Sequence, residues 1–368
     1  MPDEQLLYRV ALTKVAHVGP VTARNLLRMV ESPEQLFIPS AGRLRKLPRL
    51  SSRIRTALSN PEALRAAEAE LRFAEANGIR VLWVENDEYP WRLRQHEDAP
   101  LVIYCKGNAR MNPQRVVAVV GTRNITEQGR ALTEVLIAGL AGQDIQVVSG
   151  LAYGVDACAH GMCLQHGIET IGVLGHGLDR MYPQEHRTLA RNMLNSGGLV
   201  TEFGMNTRPD RENFPMRNRI IAGMCDALVV VETGVTGGSI ITAEIANSYN
   251  RDVFAFPGRV TDPYARGCNK LIRENCAQLI ESSEDLLASM NWDLPVRSRP
   301  LANPVLFDEL NPEEKLICEA LRKHGELHID RFHEFVGIGP GKLAAALTSL
   351  EFRGLVRSHP GKKYTFAH

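Results

Sequence analysis

Val116-Val117-Ala118-Val119-Val120-Gly121-Thr122-Arg123 decides the fold. Five apolar residues without polar alternation describe a strand buried on both faces, as strands of a parallel sheet are. A helix is expected to follow from about Glu127 to Ala141. The same unit recurs along the chain. Strand Gln146–Val148 precedes a helix over Ala157–His166, Thr170–Leu174 one near Glu185–Asn195, and Ala227–Val231 one over Ser239–Asn250. Asp252–Phe256 precedes Asn269–Glu274, and Gln278–Ile280 precedes Glu284–Ser289. Strands alternating with helices predict a doubly wound parallel α/β sheet of Rossmann-like type, with helices on both faces. Two further strands, Ile79–Val84 and Leu101–Cys105, lead into it.

Ligands of such sheets bind at the carboxyl ends of strands. Those ends carry Gly121-Thr122-Arg123, Ser149-Gly150 running to Tyr153-Gly154, Gly175-His176-Gly177, Gly237-Gly238-Ser239 and Pro257-Gly258-Arg259. Small residues admit close approach, and helix starts offer N–H groups to phosphate. Asn213-Phe214-Pro215-Met216-Arg217-Asn218-Arg219 adds cations at another expected helix start, with Pro215 in its first turn. A phosphate-rich ligand is the expectation, with Phe214, Tyr153 and Tyr182 placed to stack on bases or to pack internally. Glutamate at both 217 and 219 is expected to abolish binding without unfolding.

Other chemistries lack their signatures. No Gly-x-Gly-x-x-Gly with a following acid and no Gly-x-x-x-x-Gly-Lys-Ser/Thr is present. No catalytic residue, metal site or cofactor is expected. Asp156 and His160 stand four apart on a helix, Asp156 as a cap and His160 in local packing, or the two as a catalytic or metal pair. Glu202 and Glu232 end strands, where they would orient the arginines.

Length and charge set the bounds. The 368 residues predict two or three domains. A net charge of +1 leaves nucleic-acid binding to local patches. Seven scattered cysteines, without a Cys-x-x-Cys pair, predict free thiols in a reducing cytosol. The N-terminus lacks the basic and apolar regions of a signal peptide, and no apolar run approaches the ~20 residues of a membrane span.

Residues 1–75 read as a small helical domain. Val18-Gly19-Pro20-Val21 resembles half of a helix–hairpin–helix, with His17 where the first glycine would stand. Leu47-Pro48-Arg49-Leu50-Ser51 is a weaker second copy. Arg43, Arg45, Lys46, Arg49, Arg53 and Arg55 form a basic run, either a solvated face or a DNA-backbone patch. The sheet domain spans 78–290. A Pro-rich linker, 291–310, leads to a winged-helix domain, 311–368, with helices at Pro312–Lys323, Ile329–Val336 and Gly341–Arg353 and a hairpin around Pro360-Gly361. Its Lys342, Arg353, Arg357, Lys362 and Lys363 suit nucleic acid, and protein docking is the other reading.

Taken together, Val119–Arg123, Val148–Asp156, Val173–Asp179, Asn213–Gly223 and Val253–Gly258 resemble the DNA-processing protein A (DprA, Smf) family. The resemblance covers roughly 80–290. It implies a non-enzymatic, cytoplasmic homodimer that binds single-stranded DNA, loads the RecA recombinase onto it during natural transformation, and displaces or bypasses single-strand-binding protein. Gly121, Thr122, Arg123, Ser149, Gly150 and Arg217 to Arg219 would line the phosphate pocket. The chain departs from the family where Gln184 and His186 follow Tyr182-Pro183, and at Met162-Cys163. Ile240, Ile241, Ile245, Leu271 and Ile272 are a candidate dimer face or plain core. Gly237-Gly238-Ser239 with Glu244 approximately resembles the loop of nucleotide phosphoribohydrolases, the alternative enzyme reading. A winged-helix transcriptional regulator is the third.

Overall fold

The computed structural model describes residues 4–37, 51–292, 310–353, 355–359 and 361–366. The chain divides into two compact units, Met1–Asp293 and Leu294–His368. The first begins with helices α1 (Glu4–Lys14), α2 (Pro20–Leu27), α3 (Ser52–Leu58) and α4 (Glu62–Ala76). Arg43, Arg45, Lys46 and Arg49 of the basic run, the second hairpin copy up to Leu50 and most of the linker lie outside the described residues. His17 adopts a left-handed φ of 65° at the turn before α2, the conformation a glycine would take there.

A nine-stranded sheet follows, in the order β1-β2-β6-β5-β4-β3-β7-β8-β9. Its strands are β1 (Arg80–Trp83), β2 (Val102–Gly107), β3 (Arg115–Val120), β4 (Ile145–Ser149), β5 (Thr170–Val173), β6 (Gly197–Thr201), β7 (Ala227–Val230), β8 (Asp252–Ala255) and β9 (Gln278–Leu279). Strands β3 to β9 pair in parallel, as the continuous apolar runs predict. Strands β1 and β2, which the sequence places before the alternation, extend the edge beside β6 in antiparallel register, and β6 itself is a parallel strand that the sequence reading does not contain.

Alternate residues of β3 divide between two cores. Val116, Ala118 and Val120 face one, together with Ile220 and Ile221. Val117 and Val119 face the other, with Leu136, Ile137, Val155 and Ala159. The interleaved helices are α5 (Trp91–Arg94), α6 (Glu127–Leu140), α7 (Val155–Gln165), α8 (Arg187–Met193), α9 (Asn213–Met224), α10 (Gly238–Ser248), α11 (Arg266–Arg273) and α12 (Ser283–Ser289). Thr126 caps α6, its hydroxyl accepting from Gly129 N–H at 3.0 Å. The N-terminal helices share the first core, since Val10, Leu12 and Leu71 join Trp83 and Ile103 there. Of the apolar face among the later helices, Ile240 and Leu271 are core and Ile241 alone is exposed.

The second unit holds α13 (Pro312–His324), α14 (His333–Val336), α15 (Pro340–Phe352) and a sheet β10-β12-β11, namely Leu327–His328, Lys363–Phe366 and Val356–His359. Ile317, Leu321, Phe332, Leu347 and Leu350 form its own core. Asn311 and Glu314 cap α13 reciprocally. The three helices and the wing form as the sequence predicts.

Candidate nucleic-acid interface

Strands β4, β5 and β6 run from β3 in one direction and β7, β8 and β9 in the other. The order therefore reverses between β3 and β7, and adjacent loops part there to leave a crevice. A cleft of about 360 Å³ occupies that position. Gly121, Thr122 and Arg123 line it from β3, and Gly237, Gly238 and Ser239 from the start of α10. Phe214, Arg217 and Asn218 of α9 close it, so three separate motifs of the sequence meet.

Arg123 and Arg217 differ in setting. Arg123 is exposed, its guanidinium 5.0 Å from the Phe214 ring centroid, and it pairs with no described carboxylate. Arg217 is only 5 % exposed and lies 5.9 Å from the same centroid. It reaches across Gly150, where a Cβ would collide with its guanidinium, and donates from Nη1 to the Val173 carbonyl at 3.0 Å. Its Nε has no hydrogen-bond partner among the described residues. Asp156 meets it at Gly150. Burial pushes the Asp156 carboxyl above its usual range, opposed by Arg217 and the Ala152 N–H at 3.3 Å. Asp156 thus balances a buried cation, while Gly154 holds the N-cap position of α7.

Helix starts supply neutral donors. Gly238 and Ser239 open α10, whose first N–H groups lack intrahelical partners. Asn218 Nδ2 donates to the Gly238 carbonyl at 3.4 Å, tying α9 to α10. The Ser239 hydroxyl is spent on Thr233 Oγ1 at 2.6 Å. Thr122 N–H is also spent, on the Glu232 carbonyl at 2.7 Å, which joins the β3 and β7 loops. Its Oγ1 accepts from Asn124 N–H at 3.1 Å and keeps its own proton to donate.

Beyond Phe214 a narrower slot is lined by Gly150, Tyr153, His176 and Tyr182. Tyr153 and Tyr182 are 40 % and 42 % exposed, and Phe214 is half-buried. The Tyr182 and Phe214 centroids are 6.3 Å apart. Tyr153 donates to Glu185 Oε2 at 2.7 Å and His186 Nδ1 lies 2.9 Å from the Leu151 carbonyl, so the divergent 184–186 segment packs onto this wall.

Of the expected phosphate-binding residues Gly150 lines the slot rather than the cleft, and two line neither. Ser149 is fully buried and donates to the Val119 carbonyl at 2.6 Å. Arg219 lies on another side of α9, paired with Glu202 and donating to the Asp98 carbonyl. Glu202 orients an arginine as expected, but Glu232 instead receives Thr126 N–H at 3.0 Å and the Thr126 hydroxyl. His160 is buried with Nδ1 2.7 Å from Thr170 Oγ1, and burial pushes it down to about 3. Asp156 and His160 share no hydrogen bond among the described residues, and His160 is held in local packing. Glu244 is exposed and lines no part of the cleft, against the hydrolase reading. Among the described residues no group of three or more His, Cys, Asp or Glu side chains could hold a metal. All seven cysteines are free, and burial pushes Cys105, Cys163, Cys225 and Cys268 up to about 12.

Tyr264 escaped the sequence reading. It lines the cleft, gives its carbonyl to Thr233 N–H at 2.7 Å and accepts from Asn124 Nδ2 at 3.1 Å. Thr233 and Thr242 are further lining residues of this kind. No local pattern marks them, because they reach the cleft only through the pairing of distant loops.

A family model described as DNA recombination-mediator protein A matches residues 80–291. The chain belongs to the DNA-processing protein A (DprA/Smf) family. The model of the DprA winged helix domain matches residues 303–362. Among DprA/Smf relatives, the chain is 42 % identical to the DNA processing protein DprA of Streptococcus pneumoniae over 207 residues, 56 % of this chain and 73 % of that one. It is 30 % identical to Protein Smf of Synechocystis sp. over 99 % of both chains. The X-ray structure of S. pneumoniae DprA superposes with a TM-score of 0.56 and 33 % identity, over 74 % of this chain and 98 % of that one. A structure of Helicobacter pylori DprA, described for its single-stranded DNA binding mode, gives 0.53 and 26 %, over 58 % and 96 %. No helix among the described residues is long and apolar enough to cross a membrane.

In the second unit three of the five cations of the expected basic patch are paired, while Arg357 and Lys362 are exposed. Lys342 pairs with Glu313 at 2.9 Å, Lys363 with Glu326 at 2.7 Å and Arg353 with Glu314 at 3.1 Å. The exposed positions of α15 include Ala344, Ala345, Thr348 and Glu351. That face offers little to read base edges, which are recognised through arginine, lysine, asparagine and glutamine.

Proposed function

We propose that the cleft between β3 and β7 binds single-stranded DNA without reading its sequence. The observation that carries this is the exposed Arg123 and the buried Arg217 beside one aromatic ring, Phe214, at the reversal point of the sheet. Cations serve phosphates and rings stack on bases of any kind, which is what sequence-tolerant single-strand binding needs. Tyr153 and Tyr182 extend the ring surface along the slot. The single-strand binding of the H. pylori relative supports the same reading.

In this reading the chain is a cytoplasmic binding protein rather than an enzyme. It protects incoming strands and loads RecA onto them during natural transformation, as a homodimer, displacing or bypassing single-strand-binding protein. Asp156 is the sole carboxylate lining the cleft among the described residues, and it faces Arg217 rather than open space. A titration of single-stranded against duplex DNA of mixed sequence, at several salt concentrations, tests the proposal. Preference for the single strand that weakens steeply with salt is expected, because phosphate contacts release counterions. Equal binding to duplex would refute it. RecA strand exchange on DNA coated with single-strand-binding protein tests the loading step, and no stimulation would remove RecA from the account.

A further inference from the structure

One glycine turn at the carboxyl edge of the sheet, Pro257-Gly258-Arg259 after β8, does not line the cleft. It is nonetheless built onto the cleft wall. Gly258 N–H donates to Asn269 Oδ1 at 3.2 Å, and Asn269 Nδ2 donates to the Gly258 carbonyl at 2.9 Å. A Cβ at 258 would stand 2.5 Å from the Ala265 Cβ, so glycine lets the two ends of the loop meet. Between them Asp262 N–H donates to the Arg259 carbonyl at 2.9 Å and Ala265 N–H to the Asp262 carbonyl at 3.2 Å. Each such turn brings its ends within about 7 Å, which keeps Arg259 near Tyr264. Tyr264 lines the cleft, and Gly267 N–H donates to the Thr233 carbonyl at 2.9 Å, so the loop is stitched to the β7 loop.

This held loop turns cations and apolar side chains outwards. Val260 is 80 % exposed, and Val235 on the adjoining β7 loop is 48 % exposed. Arg259 and Arg266 are exposed, and neither pairs with a described carboxylate. The carboxylate of the loop, Asp262, accepts from Tyr264 N–H at 2.9 Å. Arg266 opens α11, whose first turn holds no acid. The helix dipole disfavours a cation in that turn, and a phosphate beside it would offset the cost.

We infer that a strand filling the cleft leaves it over Tyr264 and continues along this rim, its phosphates on Arg259 and Arg266 and its bases against Val260 and Val235. This rests on the single-strand reading of the cleft. Phosphate contacts and apolar contact with base faces carry no sequence preference, so the rim lengthens the site without making it selective.

The double variant Arg259→Gln, Arg266→Gln tests it. Oligo-dT of about four and of about sixteen nucleotides, the span of known single-strand site sizes, is titrated by anisotropy over a range of salt. The variant is expected to keep the parent's melting temperature, and its affinity and salt slope on the short strand. On the long strand it should bind about tenfold more weakly, with a salt slope shallower by about 1.4, the loss of two phosphate contacts on a single strand. Should the double variant melt earlier than the parent, Val260→Glu at the 80 % exposed tip is expected to give a like loss on the long strand alone. A folded variant that binds the long strand as the parent does overturns the inference and leaves the cleft reading standing. An equal loss on both strands, as a general change of charge would give, overturns it too. A parent protein that binds neither strand overturns both readings.

Discussion

Two positions along a helix turn a side chain by about 200°. Arg217 therefore lines the cleft while Arg219 enters a buried pair with Glu202. The expectation that glutamate at both positions abolishes binding in a folded protein needs revision on this ground. Removing one partner of a buried pair leaves the other charge uncompensated, which costs about 3–5 kcal/mol. Burial already pushes the Glu202 carboxyl up, and Arg219 opposes that shift. Arg219→Ala is expected to lower the unfolding free energy from denaturant melts by that amount, and an unchanged value would place the pair in solvent. His160 gives a second prediction at this scale. Its folded value of about 3 lies below the ordinary value of about 6.5, so the unfolded chain takes the proton first. The stability it contributes is full above pH 6.5 and is lost as pH falls towards 3. Between about pH 7 and pH 5 the loss is about 2 kcal/mol. Denaturant melts of the parent and His160→Asn should diverge in that window, the variant showing the flatter profile.

At the scale of elements, Phe214 is the part of α9 that both arginines share. Phe214→Ala is expected to weaken single-strand binding about tenfold, a stacking contribution, while Phe214→Trp retains it. Equal affinity for both variants in a titration would mean that the ring only packs. The elements themselves were largely legible. Strands β3, β4, β7 and β8 are apolar runs because both their faces are buried. Strand β6 was missed, since Gly197 and Gly198 break the apolar pattern: a Cβ at 197 would meet the Thr170 backbone and one at 198 the Lys106 carbonyl. The orientation of β1 and β2 was not legible, because hydrogen-bond register carries no residue signature. The site was legible in its glycines and in Arg123. It was misleading at Ser149, where a hydroxyl beside a glycine turn is spent on a neighbouring strand. Tyr264 gave no signal at all.

At the scale of the molecule, two units hold separate cores. A net charge of +1 leaves attraction for a polyanion to the cleft rather than to the surface as a whole. With three of the five expected winged-helix cations paired, the first unit is expected to carry the single-strand affinity. Deleting residues 294–368 should leave a cooperative melt and an unchanged affinity, and loss of binding by a folded truncation would move the site to the second unit.

The most direct test of the central claim is the affinity of Arg123→Glu for single-stranded DNA, measured by anisotropy over a range of salt. Arg123 is exposed and pairs with no described carboxylate, so its reversal should leave the melting temperature unchanged. The account predicts at least about tenfold weaker binding and a salt slope reduced by about one, the signature of a lost phosphate contact. A folded variant with the parent's affinity and slope would contradict it, and the strand would have to bind elsewhere.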